Sequence, residues 1–351
     1  MKVKIGLLIY GSLDTVSCGY FYDRKLVEFL REQGDSVEII SLPWRNYFAH
    51  LADNLNFRLP AGLDLLIEDE LNHPSLLAAN AGNHPYPVIS LVHHLRCSEQ
   101  HPEWLRWLYR AVEKRYLGSI DGFIFNSKTT QAEVRKLAGR QLRGVVATPP
   151  TDRFGCALPT KIITARSAEP GPLRLVFLGN LIPRKGLDTI LKAMRSAPSE
   201  TSLDVIGSPK VDPAYVRNMQ KLAHDSGLEN RVIFHGALET PAVAEKLKNA
   251  QVMVVPSSFE GFGIVYLEGM AFGLPAIGST AGAASEIITD GKTGYLIQPG
   301  DSKSLAVRLK SLAEERGLLR NMSLEALECY RQAPTWEQSA EKIRQFLHEM
   351  L

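Results

Sequence analysis

The chain has 351 residues, which is enough for two domains of about 150 residues each. Hydrophobic residues make up 45% and charged residues 22%, a balance that excludes a disordered chain, a collagen-like repeat and a coiled coil. The formal net charge of +2 is too small for a dedicated nucleic-acid binder.

The chain also lacks the marks of a secreted or membrane-spanning protein. Its four cysteines are too scattered for a disulfide framework or a zinc site, so reduced thiols in the cytoplasm are expected. The apolar runs have the length of strands, whereas a membrane-spanning helix needs about 20 residues. The apolar residues 5–10 are too short for a signal peptide and predict a buried first strand.

The first half of the chain predicts parallel βαβ units. After strand 5–10 comes a helix that ends near Gly34 and then a strand at 36–40. The face of that helix is expected to carry Phe21, Leu26, Val27 and Leu30. Further strands are expected at residues 63–67, 87–92, 122–125 and 144–147. Between the last two, Thr130 and Glu133 have the spacing of a capping box, and Gly139 is expected to end that helix.

A second α/β domain is predicted beyond a linker at residues 165–172, which is rich in proline and glycine. The expected domains are 1–165 and 166–334, each a Rossmann-like doubly wound parallel sheet, and the two face a cleft. The strands expected in the second domain are 173–178, 203–206, 231–234, 251–255 and 275–278. The C-terminal helix within residues 335–351 can pack on either domain.

The loop after strand 251–255 has the features of a phosphate site. Gly261 and Gly263 allow the main chain to approach a ligand closely. A helix is expected to begin near Gly263, so the N–H groups of Gly263, Ile264 and Val265 point out of its start toward an anion.

Two carboxylates flank that loop, Glu260 and Glu268. Carboxylates repel phosphate but accept hydrogen bonds from hydroxyl groups. A ligand with a diphosphate between two polyols, a nucleotide sugar, fits both features. The alternative is that Glu268 is a solvated helix residue and Glu260 a carboxylate at the helix start.

Arg184 and Lys185 follow strand 173–178 in another strand-to-helix loop. They can supply cations to a diphosphate. Alone, such a pair is more often solvated surface charge, and it gains weight here because it follows a strand of the domain that holds the glutamate loop.

These motifs together resemble the retaining glycosyltransferases of glycosyltransferase family 4, which have the GT-B fold of two Rossmann-like domains. The resemblance covers most of the C-terminal half. It rests on the ordered segments 177–179 with 184–186, 232–236, the glutamates 260 and 268, 281–288 and 290–295.

The resemblance implies a role for each residue of the second domain. Glu268 would bind the ribose, Glu260 the donor sugar, and the base would lie near Leu238. Arg184 and Lys185 would neutralise the leaving diphosphate. Main-chain contacts to the donor would come from Gly261, Phe262, Gly263, Ile264 and Val265. The sequence departs from the family at Asn180, where many members have arginine; either Arg184 supplies the charge in its place or phosphate binding is weaker.

The resemblance is weaker in the first domain. Only Gly19 matches the family's glycine pair after the first strand. His93 matches the histidine that the family places close to the transferred sugar, although His94 is its neighbour and an alternative. Without the resemblance, a structural histidine would be favoured.

The activity implied is transfer of a sugar, with retained configuration, from a UDP- or GDP-sugar (UDP favoured) to an acceptor hydroxyl. The acceptor would be a glycan or a lipid-linked molecule in polysaccharide, lipopolysaccharide or glycolipid synthesis. No metal or other cofactor is expected. A sugar-nucleotide epimerase of the same fold and a non-catalytic sugar-nucleotide sensor are the rival interpretations. A nicotinamide dehydrogenase is excluded, because no Gly-x-Gly-x-x-Gly run follows a first strand.

The sequence says less about which residues of the first domain bind the acceptor. Residues 104–143 carry nine basic residues against three acidic ones, with Trp104 and Trp107 at helical spacing. This pattern fits a face that meets anionic lipid at the inner membrane surface, but core aromatics beside solvated charges are favoured two to one. The acidic residues 68–70 are either contacts for acceptor hydroxyls or an ordinary polar loop.

Overall fold

The computed structural model divides the chain into two units, each with its own parallel sheet. The first unit is Met1–Pro150 with Pro334–Leu351, and the second is Thr151–Ala333. The structure describes residues 2–15, 17–82, 84–155, 157–196 and 201–351.

Strands and helices alternate along both units. The strands are β1 Lys4–Tyr10, β2 Ser36–Leu42, β3 Leu65–Asp69, β4 Val88–Val92, β5 Gly122–Phe125, β6 Gly144–Val146, β7 Leu173–Leu178, β8 Thr201–Ile206, β9 Val232–Gly236, β10 Val252–Val254, β11 Ala276–Ser279 and β12 Gly294–Ile297. The helices are α1 Cys18–Glu32, α2 Tyr47–Leu51, α3 His73–Leu76, α4 Glu103–Leu117, α5 Lys128–Ala138, α6 Thr160–Ala168, α7 Leu187–Ser196, α8 Pro213–Asp225, α9 Thr240–Asn249, α10 Ile264–Ala271, α11 Ser302–Glu314, α12 Arg316–Gln332 and α13 Trp336–Met350. Of the helices in the described ranges, none combines the length and apolar character needed to span a bilayer.

The two sheets confirm the predicted doubly wound α/β architecture. The first has the order β2-β1-β3-β4-β5-β6 and the second the order β12-β11-β10-β7-β8-β9, with parallel pairing throughout. The direction of winding reverses between β1 and β3 in the first sheet and between β7 and β10 in the second. Ligands of such sheets bind beyond the carboxyl ends of the strands at these reversals.

The boundary between the units lies earlier than the predicted position at residue 165. Residues from Thr151 onward belong to the second unit, because α6 packs on α12. The buried Arg166 side chain donates hydrogen bonds to the carbonyl oxygens of Lys248 (3.0 Å) and Phe272 (2.7 Å), which tie the end of α6 to the second unit.

The C-terminal helix α13 packs on the first unit, which settles the question that the sequence left open. Its apolar face, including Ile343 and Leu347, is buried in the core that also holds Ile5 and Leu26. The Trp336 ring meets the ring of Tyr22 edge-on at 5.2 Å.

Two helices of the first unit differ from their predictions. α5 begins at Lys128, three residues earlier than a cap at Thr130 predicts, because the Ser127 side chain caps it by accepting a hydrogen bond from Thr130 N. The prediction that the aromatics of α4 are core residues is wrong for both tryptophans, since Trp104 is 66% exposed and Trp107 72%. The side of α4 that packs inward instead carries Tyr109, Glu113, Tyr116 and Leu117.

Candidate active site

Two strand-to-helix loops meet at the carboxyl edge of the second sheet. β7 and β10 are neighbours there, so the loops that follow them lie side by side. Ser258 N donates a hydrogen bond to Arg184 O at 2.8 Å, and Arg184 Nη1 donates one to Phe259 O at 2.8 Å. The structure thus brings the predicted basic loop and the predicted glutamate loop together at the position where α/β sheets bind ligands.

Glycine is required at two points where these loops crowd. Gly186 has φ +72°, and a Cβ there would lie 2.4 Å from Pro256 O. Gly263 has φ +90°, and a Cβ there would lie 2.5 Å from Cε2 of the buried Tyr266. A side chain at either position would meet both an unfavourable backbone conformation and a steric clash.

Glu260 is buried and surrounded by groups that stabilise its charge. Lys185 Nζ lies 2.6 Å from Glu260 Oε1, Ser257 Oγ donates a hydrogen bond to the same oxygen at 2.5 Å, and Arg184 Nη1 lies 3.9 Å from Oε2. Burial alone would raise the pKa of Glu260, but Lys185 and Arg184 lower it below its ordinary value. The partners of this carboxylate are therefore cations and one hydroxyl, and the two cations are not simply solvated.

Glu268 lies in α10 and is buried, so the alternative of a solvated helix residue is wrong. Its Oε1 is 3.6 Å from Arg153 Nη1. Its Oε2 has no hydrogen-bond partner among the described residues. Burial raises the pKa of Glu268 even though Arg153 lowers it. A buried acceptor without a donor is costly, so this oxygen is suited to accept a hydrogen bond from a ligand hydroxyl.

Sequence reasoning missed two residues of this site. Ser257 lies three positions before Glu260, and its hydroxyl next to a predicted site carboxylate is a signal that could have identified it. Arg153 lies in a short helical turn, Asp152–Phe154, of a segment that was assigned to the other domain. No spacing in the sequence links it to Glu268.

The start of α10 offers main-chain donors as predicted from its sequence. Gly263 is the N-cap residue, and the hydrogen bond from Tyr266 N to Gly263 O opens the helix. The N–H groups of Gly263, Ile264 and Val265 come before that bond, where a helix has no internal acceptors for them. The helix dipole adds a partial positive charge at the same place.

The other residues predicted to bind the nucleotide-sugar donor lie at different places in the second unit and differ in burial. Asn180 directly follows Gly179 at the end of β7, is half-buried, and accepts a hydrogen bond from Ile182 N through its main-chain oxygen at 3.0 Å. Gly261 is half-buried and Phe262 buried in the glutamate loop. Leu238 is half-buried beyond β9, the edge strand of the sheet, two strands away from β7.

In the first unit, Gly19 and His93 lie in contact. A Cβ at Gly19 would be 3.4 Å from His93 Cδ2. His93 Nε2 is 3.2 Å from Oδ1 of the buried Asp23 on α1. Burial alone would lower the pKa of His93, but the hydrogen bond and charge of Asp23, with Asp69 behind it, raise it to about 9. His93 therefore carries a proton at neutral pH. The alternative histidine, His94, pairs with Glu99 at 3.0 Å.

The acidic run at residues 68–70 is not an ordinary polar loop. Glu68 and Asp69 end β3, Glu70 opens the turn that follows, and all three are buried. Burial raises the pKa of each carboxyl group to about 7.

Two groups in the first unit combine residue types that can ligate metal. In each, one ligand atom per residue lies within 4.8 Å of the others; the groups are Asp23 with Asp69 and His93, and Glu70 with His73 and Glu113. In the first group, His93 Nε2 is already engaged with Asp23. In the second group, His73 Nδ1 is 2.9 Å from Glu70 O.

Comparison with known proteins agrees with this geometry. Residues 160–328 match the family model of the group 1 glycosyl transferases. This stretch holds Arg184, Lys185, Glu260 and Glu268.

Two curated relatives illustrate the match. D-inositol 3-phosphate glycosyltransferase of Xylanimonas cellulosilytica is 28% identical over 215 residues, covering 58% of this chain and 51% of the relative. A GDP-mannose-dependent phosphatidylinositol monomannoside mannosyltransferase of Mycobacterium tuberculosis is 30% identical over 183 residues, covering 49% and 46%. The chain thus spans about half the length of these relatives.

Solved structures match over nearly the whole chain. Sucrose-phosphate synthase from Thermosynechococcus elongatus superposes with a TM-score of 0.79 at 21% identity, covering 98% of each chain. HepE of Anabaena, in complex with UDP and glucose, has a TM-score of 0.75 at 18% identity, covering 99% of this chain and 100% of that one. At these identities the likeness establishes the fold, which is the GT-B fold.

Proposed function

We propose that the protein is a retaining glycosyltransferase that moves a sugar from a nucleoside-diphosphate donor to an acceptor hydroxyl. One observation carries the proposal. At the reversal point of the second sheet, two cations lie in the loop after β7, and the connection after β10 supplies the amides at the start of α10 and, within that helix, the unpartnered Oε2 of Glu268. The matched stretch of the group 1 glycosyl transferases supports the assignment.

The donor is proposed to bind the second unit. Glu268 Oε2 accepts a hydrogen bond from a ribose hydroxyl, and Arg153 holds the other oxygen of that carboxylate. The diphosphate lies at the amides of Gly263, Ile264 and Val265. The base lies near Leu238, and the main chain of Gly261 and Phe262 lines the sugar. A UDP-sugar is favoured as donor. HepE, whose structure contains UDP and glucose, has the same fold, and a GDP-sugar is the alternative because one relative is named for GDP-mannose.

Catalysis is proposed to depend on stabilising the leaving diphosphate. The bond from the sugar carbon to phosphate oxygen breaks, and the acceptor oxygen bonds to the same face of that carbon. A diphosphate oxygen takes the acceptor proton. Arg184 and Lys185 stabilise the charge that develops on the diphosphate, with Arg184 in place of a cation at Asn180. Glu260 binds the sugar and also holds Lys185 in position.

The first unit is proposed to hold the acceptor, a glycan or lipid-linked molecule of polysaccharide, lipopolysaccharide or glycolipid synthesis. Gly19 leaves room beside His93, whose protonated ring donates hydrogen bonds close to the transferred sugar. The reaction is proposed to need no metal, because fixed cations already face the diphosphate, and to take place in the cytoplasm.

A panel of UDP-, GDP- and ADP-sugars tests the proposal. The protein, incubated with each sugar and with or without EDTA, should slowly hydrolyse one donor class, and proton NMR should show the released sugar first in the donor's anomeric configuration. EDTA should leave the rate unchanged. Hydrolysis of none of them would contradict the proposal and favour a sensor, and interconversion of two sugar nucleotides would favour an epimerase.

A further inference from the structure

One face of α4 is exposed, aromatic and basic at once. Trp104 and Trp107 are the exposed tryptophans described above, and the helix continues with Ala111, Lys114 and Arg115, all exposed. The spacing of three and four residues places these five side chains on one side of the helix. We call them the α4 face.

The α4 face is held rigidly from behind. Tyr116 OH donates a hydrogen bond to Ser90 Oγ at 3.0 Å, and the Tyr109 ring packs edge-on against Tyr47 at 4.5 Å. Arg140 Nη2 donates hydrogen bonds to the carbonyl oxygens of Leu117 and Ile120, which fixes the C-terminal end of α4. The exposed tryptophans are thus not frayed core residues, because the helix already buries a separate aromatic side.

Charge on and beside the α4 face has a single dominant sign. Arg110 is exposed next to Trp107 and Lys114 on the helix surface and adds to the charge of Lys114 and Arg115, while the exposed acidic residue of the helix is Glu103. Glu103 lies 4.0 Å from Arg106 and thus offsets one charge at most.

A shallow groove of about 620 Å³ adjoins the C-terminal part of the α4 face. Its apolar lining comes from Leu77, Ala81 and Ala111, and its basic lining from Lys114 and Arg115. Cations therefore lie directly beside an apolar surface, a combination that suits a lipid headgroup attached to an acyl chain.

We propose that the α4 face docks the protein on an anionic lipid bilayer. Tryptophan prefers the boundary between headgroups and acyl chains, and each basic residue near an anionic bilayer adds to the attraction. An acidic protein partner would match the charge, but it would not by itself explain two neighbouring tryptophans exposed beside an apolar groove. This proposal is independent of the proposed sugar transfer, because it uses no residue of the candidate active site.

Vesicle binding of the full chain tests the proposal. Sedimentation with phosphatidylcholine vesicles, with and without about one-third phosphatidylglycerol, measures the partition coefficient. Binding should require phosphatidylglycerol and weaken with salt, and brominated lipid should quench the tryptophan fluorescence of the bound protein.

Two double variants and a matched control identify the surface. Trp104→Ser with Trp107→Ser, and Lys114→Gln with Arg115→Gln, should each lower the partition coefficient about tenfold or more. Arg217→Gln with Lys221→Gln removes two exposed charges from α8 in the second unit and should leave binding unchanged. Circular dichroism melting should show that all variants fold.

Three results would overturn the proposal. One is equal partition of the α4 variants and the control, and another is equal binding to vesicles without phosphatidylglycerol. The third is a dimer in light scattering that the tryptophan variant converts to a monomer, since the α4 face would then be covered by a second copy. Loss of vesicle binding with unchanged donor hydrolysis would separate this surface from the active site.

Discussion

Lys185 is half-buried and Glu260 is buried, and both are proposed to contact the donor. Lys185 Nζ lies 2.6 Å from Glu260 Oε1, and its side chain is 13% exposed. A diphosphate that binds beside α10 would interact with the same Lys185 ammonium group. We propose that the pair contributes to stability in the free protein and that Lys185 turns to the leaving diphosphate when donor binds.

Substitution of Lys185 should separate its contribution to stability from its contribution to donor turnover. Lys185→Ala leaves the Glu260 carboxylate without its main partner, which should cost about 3 kcal/mol of unfolding free energy. Adding Glu260→Gln removes that uncompensated charge and should restore part of the stability. Donor turnover should stay about 100-fold low in the double variant, because the diphosphate still lacks its cation and the donor sugar also loses the Glu260 carboxylate.

Denaturant unfolding and donor hydrolysis measure the two quantities. Lys221→Ala, at an exposed position of α8, is the control and should change neither. Recovery of both stability and turnover in the double variant would show that Lys185 has only a structural role.

At the scale of elements, the sequence predicts strands well and element ends poorly. The apolar runs that predict β1 and β7 are continuous because strands of a parallel sheet are covered on both faces. β12 was missed, because Gly294–Ile297 is short and follows a tight turn. The start of α5 was missed because Ser127 caps the helix locally and no apolar periodicity marks that residue. The exposure of Trp104 depends on which side of α4 packs inward. Because α4 carries apolar or aromatic residues on two sides, their spacing in the sequence does not show which side is buried.

The start of α10 depends on Gly263. Gly263→Ala would place a methyl group 2.5 Å from Tyr266 Cε2. The Tyr266 ring cannot yield easily, since it is buried and its hydroxyl donates a hydrogen bond to Val255 O at 2.7 Å. The substitution should lower the unfolding free energy by about 3 kcal/mol and weaken UDP binding.

Gly227→Ala is the matched control for this prediction. Gly227 also has positive φ, at +65°, but nothing lies within 4 Å of a Cβ there. Its cost should be limited to the backbone effect of about 1 kcal/mol. Equal losses for both variants in denaturant unfolding would show that the contact with Tyr266 is unimportant.

At the scale of the whole molecule, buried carboxyl groups of the first unit affect how stability depends on pH. The first unit buries four carboxyl groups whose pKa is raised to about 7, mainly by burial: Glu68, Asp69, Glu70 and Glu113. In the folded state they hold protons at pH values where the unfolded chain has released them. The folded state therefore binds more protons between about pH 4.5 and pH 7, and stability falls as pH rises through that window.

Glu68→Gln should remove one part of this pH dependence. The variant side chain is neutral at every pH and can keep the hydrogen bond from Asn80 Nδ2, which is 2.9 Å in the native protein. Relative to the native protein, it should gain stability as pH rises, reaching on the order of 2 kcal/mol at about pH 8. Glu103→Gln on the exposed start of α4 is the control. A stability difference that does not vary with pH would contradict a raised pKa for Glu68.

The candidate site was predictable as far as local motifs extend. Glycines, basic residues and glutamates in strand-to-helix loops can be identified along the sequence, and the sheet order then brings the loops after β7 and β10 together. The contact of Arg153 with Glu268 could not be predicted, because it depends on how a segment before β7 packs against α10. The engagement of His93 by Asp23 likewise joins β4 to α1 through tertiary packing alone.

Calorimetric titration with UDP measures whether Glu268 binds the ribose of the donor. The native protein and Glu229→Gln, an exposed control, should bind UDP equally. Glu268→Gln should bind about tenfold more weakly or worse, because the ribose hydroxyl loses its charged acceptor. Equal affinity of a folded Glu268→Gln variant would show that Glu268 does not bind the ribose, and no binding of UDP by the native protein would contradict the favoured UDP-sugar donor.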